Sequence, residues 1–283
     1  MSIMNITKNI LVESTKHNKP ILTDVFYKKN NHKKPLVIFC HGYKGYKDWG
    51  AWNLASEEFA KNDIFLLKFN FSHNGGTVEN PIDFPDLEAF GQNNFEIELN
   101  DLDDIINWII TSEYKNEIDA ENITLIGHSR GGGSVTIKAS ENENVKRVIS
   151  WNGVSDFGSR FPKGEILKQW EKAGIAYIEN ARTKQQMPHY FQFYLNFKEN
   201  ELRFTVKNAA QKLKIPHLII HGRQDDVVLP KEAENLHKWN PNSELVIIDG
   251  MNHSLGCVQP WEESKMPVHL EQVVLKSIEF IKK

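Results

Sequence analysis

Asn122-Ile123-Thr124-Leu125-Ile126-Gly127-His128-Ser129-Arg130-Gly131-Gly132 is the stretch on which the reading of this chain turns. Residues 122–127 are largely β-branched and apolar, as a buried strand is, and a helical pattern follows through Ala139. Ser129 therefore falls on a sharp turn between a strand and a helix. Glycine is needed on both sides of such a turn, because a side chain there strikes the neighbouring strand and helix. The turn lifts the hydroxyl above the end of the strand. Behind it, the helix start places the positive end of its dipole where negative charge would develop. A Gly-x-Ser-x-Gly match alone is weak; between a strand and a helix it marks a nucleophile.

The same alternation of short apolar runs and helical periods continues on either side. Residues 36–40 and 64–69 read as strands, with a helix over 51–62 between them. Residues 95–112 form a strong amphipathic helix through Ile97, Leu99, Leu102, Ile105, Ile106, Trp108 and Ile109. Downstream, 145–151, 216–221 and 244–248 complete the strands, and 231–239 and 268–281 the helices. Apolar strands alternating with amphipathic helices mean a parallel sheet covered on both faces, so the fold class is α/β. Ahead of this pattern, 10–13 and 21–27 read as antiparallel strands. The basic run of residues 28–34 reads as an exposed hairpin loop.

One interval breaks the rhythm. Between the strands ending at Trp151 and starting at Pro216 lie roughly 60 residues, far more than a crossover helix needs. Residues 164–172 read as a helix, 176–178 as one arm of a hairpin turning over 181–183, and 199–213 as a helix leading back. Trp170, Tyr177, Tyr190, Phe191, Phe193, Tyr194 and Phe197 crowd this interval, and most of them serve to seat it on the core. We read residues 1–283 as a single domain and 157–213 as a cap inserted over the end of the sheet where ligands bind.

A serine hydroxyl is a poor nucleophile until a base takes its proton, and the base needs an orienting carboxylate. His221-Gly222-Arg223-Gln224-Asp225 follows one predicted strand, and Gly250-Met251-Asn252-His253 follows the next. Asp225 and His253 thus stand in neighbouring loops at the rim that carries Ser129, with Asp226 a competing acid. The oxyanion needs two donors. One is the N–H of Arg130, directly after the nucleophile. The other is the N–H of Tyr43, in the glycine-rich loop His41-Gly42-Tyr43-Lys44-Gly45 after the first parallel strand. Lys44 and His73 stand where a substrate carboxylate could be met. Trp151 and Tyr177 are candidates to contact an apolar or aromatic acyl group.

With these residues in place, the chain resembles the α/β-hydrolase superfamily from about Ile21 onward. The pieces that carry the likeness are His41-Gly42-Tyr43, Gly127-His128-Ser129-Arg130-Gly131-Gly132, His221-Gly222-Arg223-Gln224-Asp225 with Val228, and Gly250-Met251-Asn252-His253. Within it, the elbow and moderate insert are similar to dienelactone-hydrolase-like and prolyl-oligopeptidase-like serine esterases, including bacterial cinnamoyl (feruloyl) esterases. The resemblance implies eight mostly parallel strands, a Ser-Asp-His triad and no metal or organic cofactor. Its glycine-to-acid spacing favours Asp225 over Asp226. Serine at the elbow sets the chain apart from the cysteine of true dienelactone hydrolases and the aspartate of haloalkane dehalogenases and epoxide hydrolases.

Composition narrows the partners. Lys and Arg total 34 against 37 Asp and Glu, a formal net charge of -3. Phosphate backbones and anionic membrane surfaces are met by a basic excess, so neither is an expected partner. Two cysteines, Cys40 and Cys257, provide no disulfide framework. Neither a signal peptide nor a membrane span is legible, so the expected location is cytoplasmic. The expected activity is hydrolysis of small-molecule carboxylic esters with small to medium apolar or aromatic acyl groups. Thioester hydrolysis shares the mechanism. An aminopeptidase-like activity would need cap acids such as Glu165, Glu171 or Glu179 to hold an ammonium. A non-catalytic ligand receptor is disfavoured by the intact Ser129-Asp225-His253 set.

Overall fold

The structure is a computed structural model and describes residues 3–30 and 32–283. The chain opens with strands β1 (Ile3–Val12), β2 (Ile21–Lys29) and β3 (Lys34–Cys40), then α1 (Trp52–Lys61) and β4 (Phe65–Asn70). Helices α2 (Leu87–Gln92) and α3 (Phe95–Thr111) lead to β5 (Ile118–His128), α4 (Arg130–Glu141) and β6 (Val145–Trp151). The long interval holds α5 (Gly164–Ala173), β7 (Ile175–Glu179), β8 (Gln186–Tyr190), α6 (Gln192–Glu199), α7 (Glu201–Phe204) and α8 (Val206–Lys212). Then come β9 (His217–Gly222), α9 (Pro230–Trp239), β10 (Glu244–Ile248) and α10 (Val268–Lys282).

Eight strands make one sheet in the order β1-β2-β4-β3-β5-β6-β9-β10, and β7-β8 form a separate hairpin. The first three strands in that order pair antiparallel; from β4 onward every pair is parallel. The central strands are covered on both faces, which is why they read as unbroken apolar runs. On one face Phe39, Trp52, Phe59 and Trp151 pack with α10 residues such as Leu270 and Val274. On the other, Leu36, Ile38 and Leu125 meet Leu102, Ile105 and Ile106 of α3 and Val135 of α4. Each large side chain so buried stabilises the fold by roughly 1.5–3 kcal/mol. A third cluster, with Phe95, Phe157, Phe161, Trp170 and Phe197, joins the long interval to the end of the sheet.

Three expectations need correction. The basic run 28–34 is not the turn of a hairpin: β4 lies between β2 and β3, so those strands do not pair, and Asn31 lies outside the described residues. The helix expected over 199–213 is two short helices, α7 and α8, after the last residue of α6. It breaks at Asn200 and again at Thr205, whose extended backbone (ψ 101°) ends α7. Trp151 does not face a ligand. It is 1% exposed in the core, stacked on Phe59, with its indole N–H donating to Ser277 Oγ at 3.0 Å. No helix among the described residues is long and apolar enough to cross a membrane.

Candidate active site

β5 ends at His128 and α4 begins at Arg130, leaving Ser129 between them at φ 57° and ψ −121°. For a non-glycine residue this conformation costs about 1–3 kcal/mol, so the surroundings must hold it. The Ser129 N–H donates to Trp151 O, and its carbonyl accepts from the N–H groups of Gly132 and Val154, each at 3.0 Å. The flanking glycines are a matter of contact. A Cβ on Gly127 would lie 2.2 Å from Gly131 O, and one on Gly131 would lie 2.5 Å from Cys40 O.

Ser129 Oγ is 3.0 Å from Nε2 of His253, whose Nδ1 is 2.8 Å from Asp225 Oδ2. His253 is therefore engaged through opposite ring nitrogens, the arrangement that a proton relay requires. The other oxygen of Asp225 accepts from the N–H groups of Val227 and Val228 at 2.9 and 2.8 Å. Burial alone would raise the Asp225 carboxyl. The hydrogen bond and charge of His253, with those two N–H groups, instead hold it below the usual carboxylate value. Asp226 is exposed.

Two residues that the sequence did not assign to the site fix the histidine loop. Asn152, just past β6, donates to the carbonyls of Asn252 and His253 at 3.0 Å and accepts from Gly222 N–H at 2.8 Å. It thereby bridges the loops of Asp225 and His253. His128 Nε2 lies 2.8 Å from His253 O, and burial together with the neighbouring His253 lowers its pKa to about 3. A neutral ring with its proton on Nε2 satisfies that carbonyl. The only sequence signal for either residue is its position at a strand end.

The loop after β3 lies against Ser129: a Cβ on Gly42 would sit 3.3 Å from its Oγ. It turns through a bond from Gly45 N–H to Gly42 O at 3.0 Å. Below it, His41 Nδ1 meets Gly42 O at 2.9 Å and His41 Nε2 accepts from Phe71 N–H at 3.2 Å. Burial lowers the His41 pKa to about 4, and only a neutral ring can serve both partners. Arg130 is the first residue of α4, so its N–H has no carbonyl one helical turn back.

A cavity of about 810 Å³ opens from Ser129 beneath the long interval. Phe95, Phe157, Phe161, Trp170 and Phe193 are among the residues of its wall, with the exposed Ile166, Tyr177 and Ile178 at its outer part. Polar groups on it are few. Arg130 faces in, but its guanidinium pairs with buried Glu98 and lies 5.1 Å over the Tyr43 ring. Arg160 is likewise paired, with Glu232. No Asp or Glu is among the described lining residues, and Glu165, Glu171 and Glu179 are exposed.

Tyr177 lines the cavity at its exposed outer edge. Lys44 does not; its ammonium lies over the Tyr43 ring, 5.2 Å from the centroid. His73 lies elsewhere, packed edge-on against His17 with Nδ1 2.7 Å from Ser72 Oγ. Its place in the loop after β4 sets it beside His17 of the β1–β2 loop, and it is not among the residues lining the cavity. Cys40 and Cys257 are free and buried, in separate core clusters.

The BD-FAE family model matches residues 23–240. Monoacylglycerol lipase ABHD6 of Mus musculus is 21% identical over 271 residues, spanning 83% of this chain and 75% of that protein. Est1E from Butyrivibrio proteoclasticus superposes with a TM-score of 0.69 at 19% identity, covering 98% of both chains. A second structure of Est1E, with ferulic acid bound, gives 0.69 at 20% identity over 96% of this chain and 98% of the other. A dienelactone hydrolase from Anabaena variabilis gives 0.65 at 16% identity, covering 99% and 97%. The shared fold is that of the α/β-hydrolases.

Proposed function

The chain belongs to the BD-FAE family, and from that membership and the geometry of its site we propose that it is a carboxylic ester hydrolase working through an acyl-enzyme on Ser129. His253 takes the Ser129 proton through Nε2 as the hydroxyl attacks the ester carbonyl, and returns it to the leaving alcohol. Asp225 holds Nδ1–H and balances the imidazolium. The N–H groups of Tyr43 and Arg130 receive the oxyanion. Water, activated by the same histidine, then releases the acid.

The observation that carries this reading is the 3.0 and 2.8 Å relay opening onto an aromatic cavity with no carboxylate on its described wall. Such a wall favours an uncharged, apolar or aromatic acyl group. Est1E holds ferulic acid in one of its structures, and an aryl acyl group of that kind suits a chamber walled by phenylalanines. An aminopeptidase needs a carboxylate to meet its substrate's ammonium, and the lining supports that reading less. We take residues 157–213 as a cap inserted into a single domain. The free thiols of Cys40 and Cys257 and the balanced charge support a cytoplasmic enzyme of small-molecule esters, without nucleic-acid or membrane partners.

Hydrolysis of p-nitrophenyl esters of graded acyl length, beside a feruloyl ester and an aminoacyl amide, tests the assignment. Turnover of the esters, with the optimum at a medium or aromatic acyl group, is expected. Preference for the aminoacyl amide would overturn it.

A further inference from the structure

Tyr43 carries two groups that matter. Its N–H is the proposed oxyanion donor, and its hydroxyl reaches across to the cap, 2.7 Å from Nε2 of His189 on β8. Both rings line the cavity, yet each is committed to the other and not to a substrate. We infer that His189 is a positioning residue: by anchoring the Tyr43 side chain, it lets the cap hold the oxyanion loop in register with Ser129. The inference rests on the acyl-enzyme reading above and adds to it a positioning role for a residue of the cap.

The loop needs such an anchor. Its turn places Lys44, not a glycine, at φ 53°, in the left-handed region that costs an L residue energy. From below, His41 ties the loop to Phe71, and Asn70 Oδ1 accepts from Lys47 N–H at 2.6 Å. These ties act at His41 and Lys47, and between them Asn74 Nδ2 donates to Gly45 O at 3.2 Å. The middle, Tyr43, is held from above. His189 suits that task chemically. Burial, with the charges of Arg130 and Lys44, lowers its pKa to about 4, so the ring is neutral and able to accept a hydrogen bond from the phenol.

His189 is itself fixed. Its carbonyl accepts from the Trp170 indole N–H at 2.8 Å, and β8 pairs with β7 along its length. The hairpin is in turn fastened to the stretch around α2. Gln185 donates to Phe84 O at 3.0 Å, and the Tyr190 hydroxyl bonds Glu88 at 2.5 Å. The anchor therefore belongs to a rigid element, and its loss releases the loop instead of moving the anchor.

Tyr43→Phe and His189→Ala test this with p-nitrophenyl acetate, whose acyl group is too short to use the cap as a binding wall. Each variant should lower kcat about 10- to 100-fold with KM within about twofold. The double variant should be no slower than the worse single one. The rate of fluorophosphonate inactivation should fall in parallel. His189→Gln, whose amide oxygen can still accept from the phenol, should recover most of the loss. Wild-type kcat in both variants, or a rise in KM with kcat unchanged, would reduce the pair to cavity wall and overturn the inference. A wild-type protein inert toward every ester and toward fluorophosphonate would instead overturn the acyl-enzyme reading.

Discussion

Among the described residues, serine, histidine and aspartate meet in two clusters of different geometry. At the rim of the sheet, Ser129 and Asp225 engage His253 through its two different nitrogens. Between the β1–β2 loop, the turn after β4 and α3, Ser72 Oγ and Asp101 Oδ1 both approach Nε2 of His17, at 3.1 and 2.9 Å. A relay passes a proton in at one nitrogen and is held by a carboxylate at the other; here serine and carboxylate share Nε2, and Nδ1 meets the Lys19 N–H at 3.3 Å, not a carboxylate. Ser72 also donates to Asp101 through its N–H and its hydroxyl, each at 2.8 Å, so the hydroxyl is spent as a structural donor. Composition is alike in the two clusters. Strain, donors and access differ: only Ser129 sits on an elbow at φ 57° and opens onto the large cavity.

The sharpest way to break this contrast is to remove each serine. Ser129→Ala should lower ester turnover by roughly 10⁴- to 10⁶-fold. Its unfolding free energy should change by less than about 1 kcal/mol. Ser72→Ala should leave kcat for a short ester within about threefold, measured side by side. Comparable losses in the two variants would erase the distinction.

Acid should act on the fold through its buried rings. Burial lowers the pKa of His41 to about 4 and of His128 and His217 to about 3, whereas the unfolded chain binds those protons near pH 6.5. Their contribution is therefore complete above pH 6.5 and lost as pH falls toward 4. Denaturant titrations should show stability dropping by several kcal/mol across that window. A flat profile would mean that these rings are not held neutral.

In the structural cluster, Asp101→Ala should cost about 3 kcal/mol of stability, because the buried N–H and hydroxyl of Ser72 lose their acceptor. Urea unfolding checks this, and a loss below about 0.5 kcal/mol would show the cluster to be idle. The smallest effect is spectroscopic. The hydrogen bond to Asp101 raises the pKa of His17, while burial lowers that of neighbouring His73 to about 4. Imidazole resonances should separate the two, His17 titrating above pH 6.5 and His73 well below it. His17's contribution is accordingly full below pH 6.5 and fades as pH rises through its raised value.

Much of the site was legible because its chemistry sits at strand ends. Ser129, Asp225 and His253 each follow an apolar run, and parallel strands bring such loops to one rim. The second cluster was not legible. His17, Ser72 and Asp101 come from a loop, a turn and a helix face that meet only in the fold. Trp151 misled for a related reason. Its place at a strand exit is visible in sequence, but the face its ring takes is set by the packing of Phe59 and Ser277, from α1 and α10. The long interval was recognisable by length and aromatic content, whereas its helix breaks at Asn200 and Thr205 were not. The tie from Tyr43 to His189 spans 146 positions, and nothing local announces it.

The account stands most directly on which serine is nucleophilic. Wild-type protein treated with a fluorophosphonate and mapped by peptide mass spectrometry should carry one adduct, on the peptide containing Ser129, and Ser129→Ala should carry none. An adduct on Ser72, or undiminished labelling and ester turnover in Ser129→Ala, would contradict it.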